Sequence, residues 1–288
     1  PMKKLAGQII ATAILVVFAD IRITNLYGFL DIGQLPYIVS LLLTVFVFIV
    51  IINGFNLIDG IDGLASGAGI VTSMVYASWF WYKGDIPFAI LCFSFIGSLA
   101  AFFVYNVFGT KNKIFLGDTG SMLIGFILGI LSCRFLQEEL VSPVNFRNPA
   151  APAIVIGILI IPLYDSMRVF ILRISRGQSP FKADRQHLHH RLLQLGYSHL
   201  KSTLILLSVN VAFIIFCFAF QGIGIVKLTF IMAVTATILS TVLVNLARKR
   251  SKKLNQLELL LAESLKKLYR RRDGLIRKAN MIDVPGPQ

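Results

Sequence analysis

Eight long apolar runs dominate this chain, and runs of that length leave few folding options. A bilayer core of ~30 Å takes about 20 apolar helical residues to cross, and lipid offers no partner for an unpaired backbone group, which restricts spanning segments to helices and closed barrels. The runs are Leu5–Ala19, Leu35–Ile52, Leu64–Tyr82, Ile86–Asn106, Gly120–Leu136, Ala151–Leu172, Ser202–Gln221 and Ile225–Leu246. Only 15% of the 288 residues are charged and 56% are hydrophobic, with a mean hydropathy of +0.76, against ~25% charged in a soluble domain. The expected fold is all-α, a polytopic helical membrane protein with about eight transmembrane helices.

The distribution of Lys and Arg sets the expected sidedness. Lys3, Lys4, Lys111, Lys113, Arg173, Arg176, Lys182, Arg185, Arg191, Lys201 and the tail from Arg248 fall on one side. The other side holds Arg22, Lys83, Arg147 and, at span edges, Arg134 and Lys227. The rich side is read as cytoplasmic, so the net charge of +14 reflects topology rather than nucleic-acid binding. On the outer side, the β-branched stretch Asp20–Gln34 reads as a small periplasmic hairpin. Residues 1–246 form the membrane domain and 247–288 a basic amphipathic tail. There Leu254, Leu257, Leu261, Leu265 and Leu268 recur at helical spacing; such a face either lies on anionic lipid, the favoured reading, or pairs with another copy. Cys92, Cys133 and Cys217 lie in apolar runs without metal-ligand spacing and read as packing residues. No cleavable leader is evident, and the chain starts at Pro1, as a fragment would.

Three polar patches fall on the lysine-rich face. The first is Asn53-Gly-Phe-Asn56-Leu-Ile-Asp59-Gly-Ile-Asp62-Gly. Ionisable groups at the mouth of a span are costly and point to function. If the helix continues, a spacing of three puts Asp59 and Asp62 on one face, with Asn53 and Asn56 adding amide groups. Such oxygens suit a hard cation like Mg²⁺ that shares its shell with phosphates, while Gly60 and Gly63 would let a substrate approach the backbone. Helix capping accounts for one Asp more easily than for two Asp and two Asn. The second patch, Phe115-Leu-Gly-Asp118-Thr-Gly-Ser121, places Asp118 where a helix begins, either as an ordinary cap or as a metal ligand beside N–H groups that attract phosphate; Phe115 could stack on a flat base. The third, Arg185-Gln-His187-Leu-His189-His190-Arg191, suits a polyphosphate, with lipid headgroups or a metal as alternatives. Asp165 and Arg168 read as a simple pair, and His199 has no special role. Acidic oxygens, a helix N-terminus and a cationic loop on a membrane scaffold fit phosphoryl transfer from a soluble nucleotide to a lipid. A transporter would place its site near the midplane between repeats, and a lipid-binding scaffold leaves the Asn and Asp residues unexplained.

Asn-x-x-Asn-x-x-Asp-Gly-Ile-Asp-Gly-Leu, Phe-Leu-Gly-Asp-Thr-Gly-Ser and His-Leu-His-His-Arg, in this order, resemble the polyprenyl-phosphate N-acetylhexosamine-1-phosphate transferases, the MraY–WecA family, over roughly Pro1–Leu246. The histidine loop is similar to the WecA/TagO branch. The resemblance implies transfer of N-acetylhexosamine-1-phosphate, most simply GlcNAc-1-phosphate, from a UDP-N-acetylhexosamine to undecaprenyl phosphate, with release of UMP. It implies Mg²⁺, or Mn²⁺ in its place, and a bacterial inner membrane with the site facing the cytoplasm. By motif, Asp118 and Asn56 would be metal ligands, and Asp59, Asp62 and Asp118 catalytic. Asn53 and Phe115 would contact substrate, Phe115 through the uracil, and Arg185, His187, His189 and His190 the diphosphate. Membrane lipids and a second copy are the other expected partners; a 6-deoxy N-acetylhexosamine is an alternative donor sugar. The family's acidic pair lies just upstream of a segment resembling Pro1–Gln8, and Asp20 sits at the wrong end of its span to replace it. An N-terminally truncated version is therefore the expectation.

Overall fold

A computed structural model describes residues 2–29, 31–141, 148–179 and 186–282, with side chains up to residue 268 apart from that of Met2. In chain order the elements are α1 (Met2–Ala19), β1 (Asn25–Phe29), β2 (Ile32–Gln34), α2 (Tyr37–Ile58), α3 (Leu64–Lys83), α4 (Ile86–Phe108), α5 (Gly117–Val141), α6 (Ala151–Ile158), α7 (Ile160–Ile174), α8 (Leu188–Gln194), α9 (His199–Ala219) and α10 (Ile225–Ile282). The expected hairpin is present as the antiparallel pair β1–β2.

The protein is an all-α, multi-pass membrane protein, but the count of eight spans is not confirmed. Among the described residues five helices are long and apolar enough to cross a bilayer: α2, α4, α5, α9 and α10. A sixth crossing follows if α6 and α7, bent by 81°, count together. The other two expected spans exist as helices α1 and α3. Each carries polar or small residues along its length, including Gln8 and Thr12 in α1 and Ser66-Gly67-Ala68-Gly69 in α3, which dilutes its apolar character.

Small residues set the packing. Without water to drive burial, helices in lipid gain by close van der Waals approach. Gly125 of α5 shows this: a Cβ there would lie 2.6 Å from the Ile52 Cα of α2. Around that contact Phe48, Ile51, Ile52, Leu128 and Leu131 are fully buried. Leu42 and Phe46, on the other side of α2, are 62% exposed and available to lipid.

The break between α6 and α7 has a local cause. Pro162 lacks the N–H that would bond the Ile158 carbonyl; the Asn210 amide of α9 donates to that carbonyl instead, at 3.2 Å. Gly54 of α2 makes room for the turn, since a Cβ there would lie 3.1 Å from the Pro162 carbonyl oxygen. The bend thereby sets α7 across the C-terminal part of α2.

Candidate functional site

The three patches converge at one end of the bundle. α2 runs past its expected end at Ile52 through Asn53 and Asn56 to Ile58, so both asparagines are helical. It stops there. Asp59 and Asp62 lie in the turn before α3 rather than on one helix face, which corrects the helical reading; Gly63 ends the turn with φ 77°, a left-handed conformation that favours glycine. The buried Asn106 side chain ties this turn to the loop before α5. It accepts from the Gly63 N–H at 2.7 Å and donates to the Ile114 carbonyl at 2.9 Å.

The carboxylates have unequal surroundings. Asp62 accepts from Lys113 Nζ at 2.7 Å and pairs with His199 Nδ1 at 2.9 Å, while its carbonyl accepts from Thr203 Oγ1 at 2.7 Å. Burial works against its charge, but the Lys113 and His199 contacts prevail and hold it below the usual carboxylate range. Asp118, in the first turn of α5, accepts from Asn56 Nδ2 at 3.0 Å and pairs with the Lys4 ammonium of α1. Asn56 also donates to Ser121 Oγ at 2.9 Å. Asp59 makes no hydrogen bond or ion pair among the described residues. Burial, then the charges of Asp118 and Asp62, push its carboxyl up to about 7. Asn53 lies one turn deeper and donates to Gln8 Oε1 at 3.0 Å.

The histidine loop reaches this cluster through Gly60. A Cβ on Gly60 would lie 2.3 Å from His189 Nε2, so the space read as room for a substrate is filled by this ring. His189 is 1% exposed and neither ring nitrogen has a hydrogen-bond partner among the described residues; burial, then the neighbouring His190, lower it to about 3. It is therefore a neutral imidazole at pH 7, not a cation. The His187 and His189 rings lie parallel within 7°, 5.8 Å apart, and His190 is 4.2 Å from His189.

Asp165 organises the loop. Besides Arg168 at 3.3 Å, it meets His187 Nδ1 at 3.1 Å and accepts the Leu188 N–H that opens α8, at 3.1 Å. Arg168 also donates to the Gln186 carbonyl. The expected Asp165–Arg168 pair is real, but it is one part of a buried cluster that aims the histidines. Phe115 is 75% exposed, with Lys113 Nζ 5.5 Å from its ring centre. Arg185 lies outside the described residues.

The sequence reading missed Lys4, Lys113, Asn106, His199 and Thr203. Lys4 and Lys113 entered only as topology charges. His199 follows Ser198, whose hydroxyl caps α9 by accepting from Lys201 at 3.3 Å, and nothing in the sequence links it to Asp62, 137 residues away.

Among the described residues no group of three or more histidine, cysteine or acidic side chains is arranged to hold a metal ion. A cation at this end of the bundle would have Asp118, where the Lys4 ammonium now sits, and the oxygen of a turned Asn56 amide as its ligands.

Residues 1–136 match the family model described as glycosyl transferase family 4. The chain is 34% identical over 158 residues to an undecaprenyl-phosphate alpha-N-acetylglucosaminyl 1-phosphate transferase of Escherichia coli strain K12, covering 54% of this chain and 41% of that protein. It is 33% identical over 222 residues to a decaprenyl-phosphate N-acetylglucosaminephosphotransferase of Mycolicibacterium smegmatis, covering 71% and 53%. The chain spans about half the length of the curated relatives it matches.

Proposed function

We propose that this protein, whose residues 1–136 match the glycosyl transferase family 4 model, transfers N-acetylhexosamine-1-phosphate, GlcNAc-1-phosphate first among the candidates, from a UDP-sugar to undecaprenyl phosphate. The observation that carries the reading is the convergence of the three patches: Asn56 on Asp118, Asp59 close enough to Asp118 and Asp62 for their charges to raise its carboxyl, and His189 against Gly60. The names of the relatives support the sugar and the polyprenyl-phosphate acceptor.

A phosphate monoester has a second pKa near ~6, so the acceptor is mostly dianionic at neutral pH and needs little help from a base. Its oxygen attacks the β-phosphorus of the donor, the bond from that phosphorus to the α-phosphate oxygen breaks, and UMP leaves with the electron pair. The sugar stays on the transferred phosphoryl group as a diphospholipid. Mg²⁺, held by Asp118 and Asn56, would neutralise charge between the two phosphate anions. In this reading Asp59 and Asp62 shape the donor site, Asp62 fixed by Lys113 and His199. Asn53 lies at its floor, Phe115 offers a ring face to uracil, and His187, His189 and His190 border the diphosphate, with Arg185 assigned to it by the sequence motif alone. The lysine and arginine bias supports a reading in which this end of the bundle faces the cytoplasm from a bacterial inner membrane. A transporter reading loses support, because the polar groups gather at one end of the bundle and not at its middle.

The test is UMP release by the full-length protein from UDP-GlcNAc, undecaprenyl phosphate and Mg²⁺, with Asp118→Asn in parallel. Release that needs lipid and metal and is lost in the variant is the expected result. Release with another UDP-N-acetylhexosamine alone would change the sugar; no release with any donor from folded protein would refute the reading.

A further inference from the structure

The exposed end of α10 is unexplained by the site. α10 is one helix from Ile225 to Ile282. Its last anchor to the bundle is at Ala247, fully buried, and Arg250, whose guanidinium lies where a Cβ on Gly196 would come within 2.5 Å. From Ser251 to Leu268 every residue is exposed, a lone helix of roughly 27 Å at 1.5 Å per residue. It carries seven leucines, each 47–67% exposed. A contiguous apolar stripe on a lone helix calls for a partner.

Two partners fit such a stripe, a membrane surface or another helix, and the backbone discriminates between them. To lie in the lipid interface, the extension must turn sharply away from its own transmembrane segment. Sharp kinks arise at proline, glycine or a helix defect. No proline or glycine occurs from Ile225 to Asp273, and the helix is unbroken through Arg250. The extension therefore carries the direction of the span into water.

We propose that residues 251–268 form a short parallel two-stranded coiled coil with the same segment of a second copy of this chain. Leu254, Leu261 and Leu268 repeat every seven residues, and Leu257 and Ser264 stand three after Leu254 and Leu261, the a and d positions of a heptad; one heptad earlier the same register falls on Ala247 and Arg250, which pack on the bundle, so the seam starts beyond them. The flanking positions agree. In a parallel pair a g residue meets the e residue five further along on the partner helix: Lys253 meets Glu258, opposite in charge, and Leu260 meets Leu265, both apolar. Most remaining basic side chains point away from the seam. This inference stands independently of the transferase reading.

Directional cysteine cross-linking tests it in the full-length protein, reconstituted into vesicles containing anionic lipid. Cys92, Cys133 and Cys217 are buried and leave a low background. Leu261→Cys, on the seam, is expected to give at least tenfold more disulfide dimer on mild oxidation than Leu259→Cys, which faces away; Leu254→Cys is the second seam position. Equal yields at 259 and 261, or no dimer at either seam position, would overturn the proposal. A polarity-sensitive dye on Leu261→Cys supplies the second readout. A blue shift that requires anionic lipid and persists at high dilution of protein in lipid would assign the stripe to the membrane and overturn it too.

Discussion

Replacing Asp59 with Asn removes a charge that the fold does not compensate, so the metal-free protein should become more stable while losing its proposed activity. The Asp59 carboxyl is raised from 3.8 to about 7 by burial, then by Asp118 and Asp62. In the unfolded chain it ionises near 3.8, so above pH 7 the folded state carries the full cost of holding the charge, and below pH 4 it carries none. The gap sets an upper bound of about 4 kcal/mol at ~1.4 kcal/mol per pH unit. Asp59 is only partly buried, and solvent screening reduces this to about 1–2 kcal/mol. At roughly 2–4 °C per kcal/mol, Asp59→Asn should raise Tm in detergent by about 2–8 °C at pH 8 without divalent cation. The gain should vanish toward pH 4. Added Mg²⁺ should stabilise the parent protein more than the variant, because a cation relieves the same repulsion. A lower Tm for the variant at pH 8, or a gain of equal size at pH 4, would refute the reasoning.

Gly60→Ala drives a Cβ to 2.3 Å from His189 Nε2 and should cost about 1–3 kcal/mol; combining it with His189→Ala should restore much of the loss in thermal denaturation. Asn210→Leu strands the Ile158 carbonyl at the α6–α7 break and should cost about 1–3 kcal/mol, read as a drop in Tm, with a larger effect than the same change at an exposed position of α9. Asp165→Asn keeps the shape but weakens the hold on His187 and the first turn of α8. Transfer should fall by about tenfold or more, while far-UV circular dichroism stays that of the parent. Asp118→Asn should abolish both Mg²⁺-dependent transfer and Mg²⁺-dependent stabilisation.

Helix content and the polar patches were legible because both are local. An apolar run long enough to span must close its hydrogen bonds within itself, and the alternation of Asp20–Gln34 announced its hairpin. Asn53, Asn56, Asp59 and Asp62 stood out because their surroundings are apolar. Helix ends were less legible: α2 continues to Ile58 because Asn53 and Asn56 are held by partners on α1 and α5. The α6–α7 break was hidden inside a single apolar run, since proline breaks a span sharply only where a neighbour such as Asn210 takes over the freed carbonyl.

The amino-acid sequence alone determined that this is a helical membrane protein and which residues are too polar for its lipid-facing runs, since transfer cost and backbone satisfaction depend on composition over a short window. Only the tertiary structure decided how those residues divide the work. Lys113 reaches Asp62 from the loop before α5 and His199 from the start of α9, Lys4 reaches Asp118 from α1, and among the described residues no cation pairs with Asp59. His189 becomes a neutral buried ring because Gly60 leaves it room. Charge state follows from distance and burial, and those arise from contacts between segments far apart in the chain.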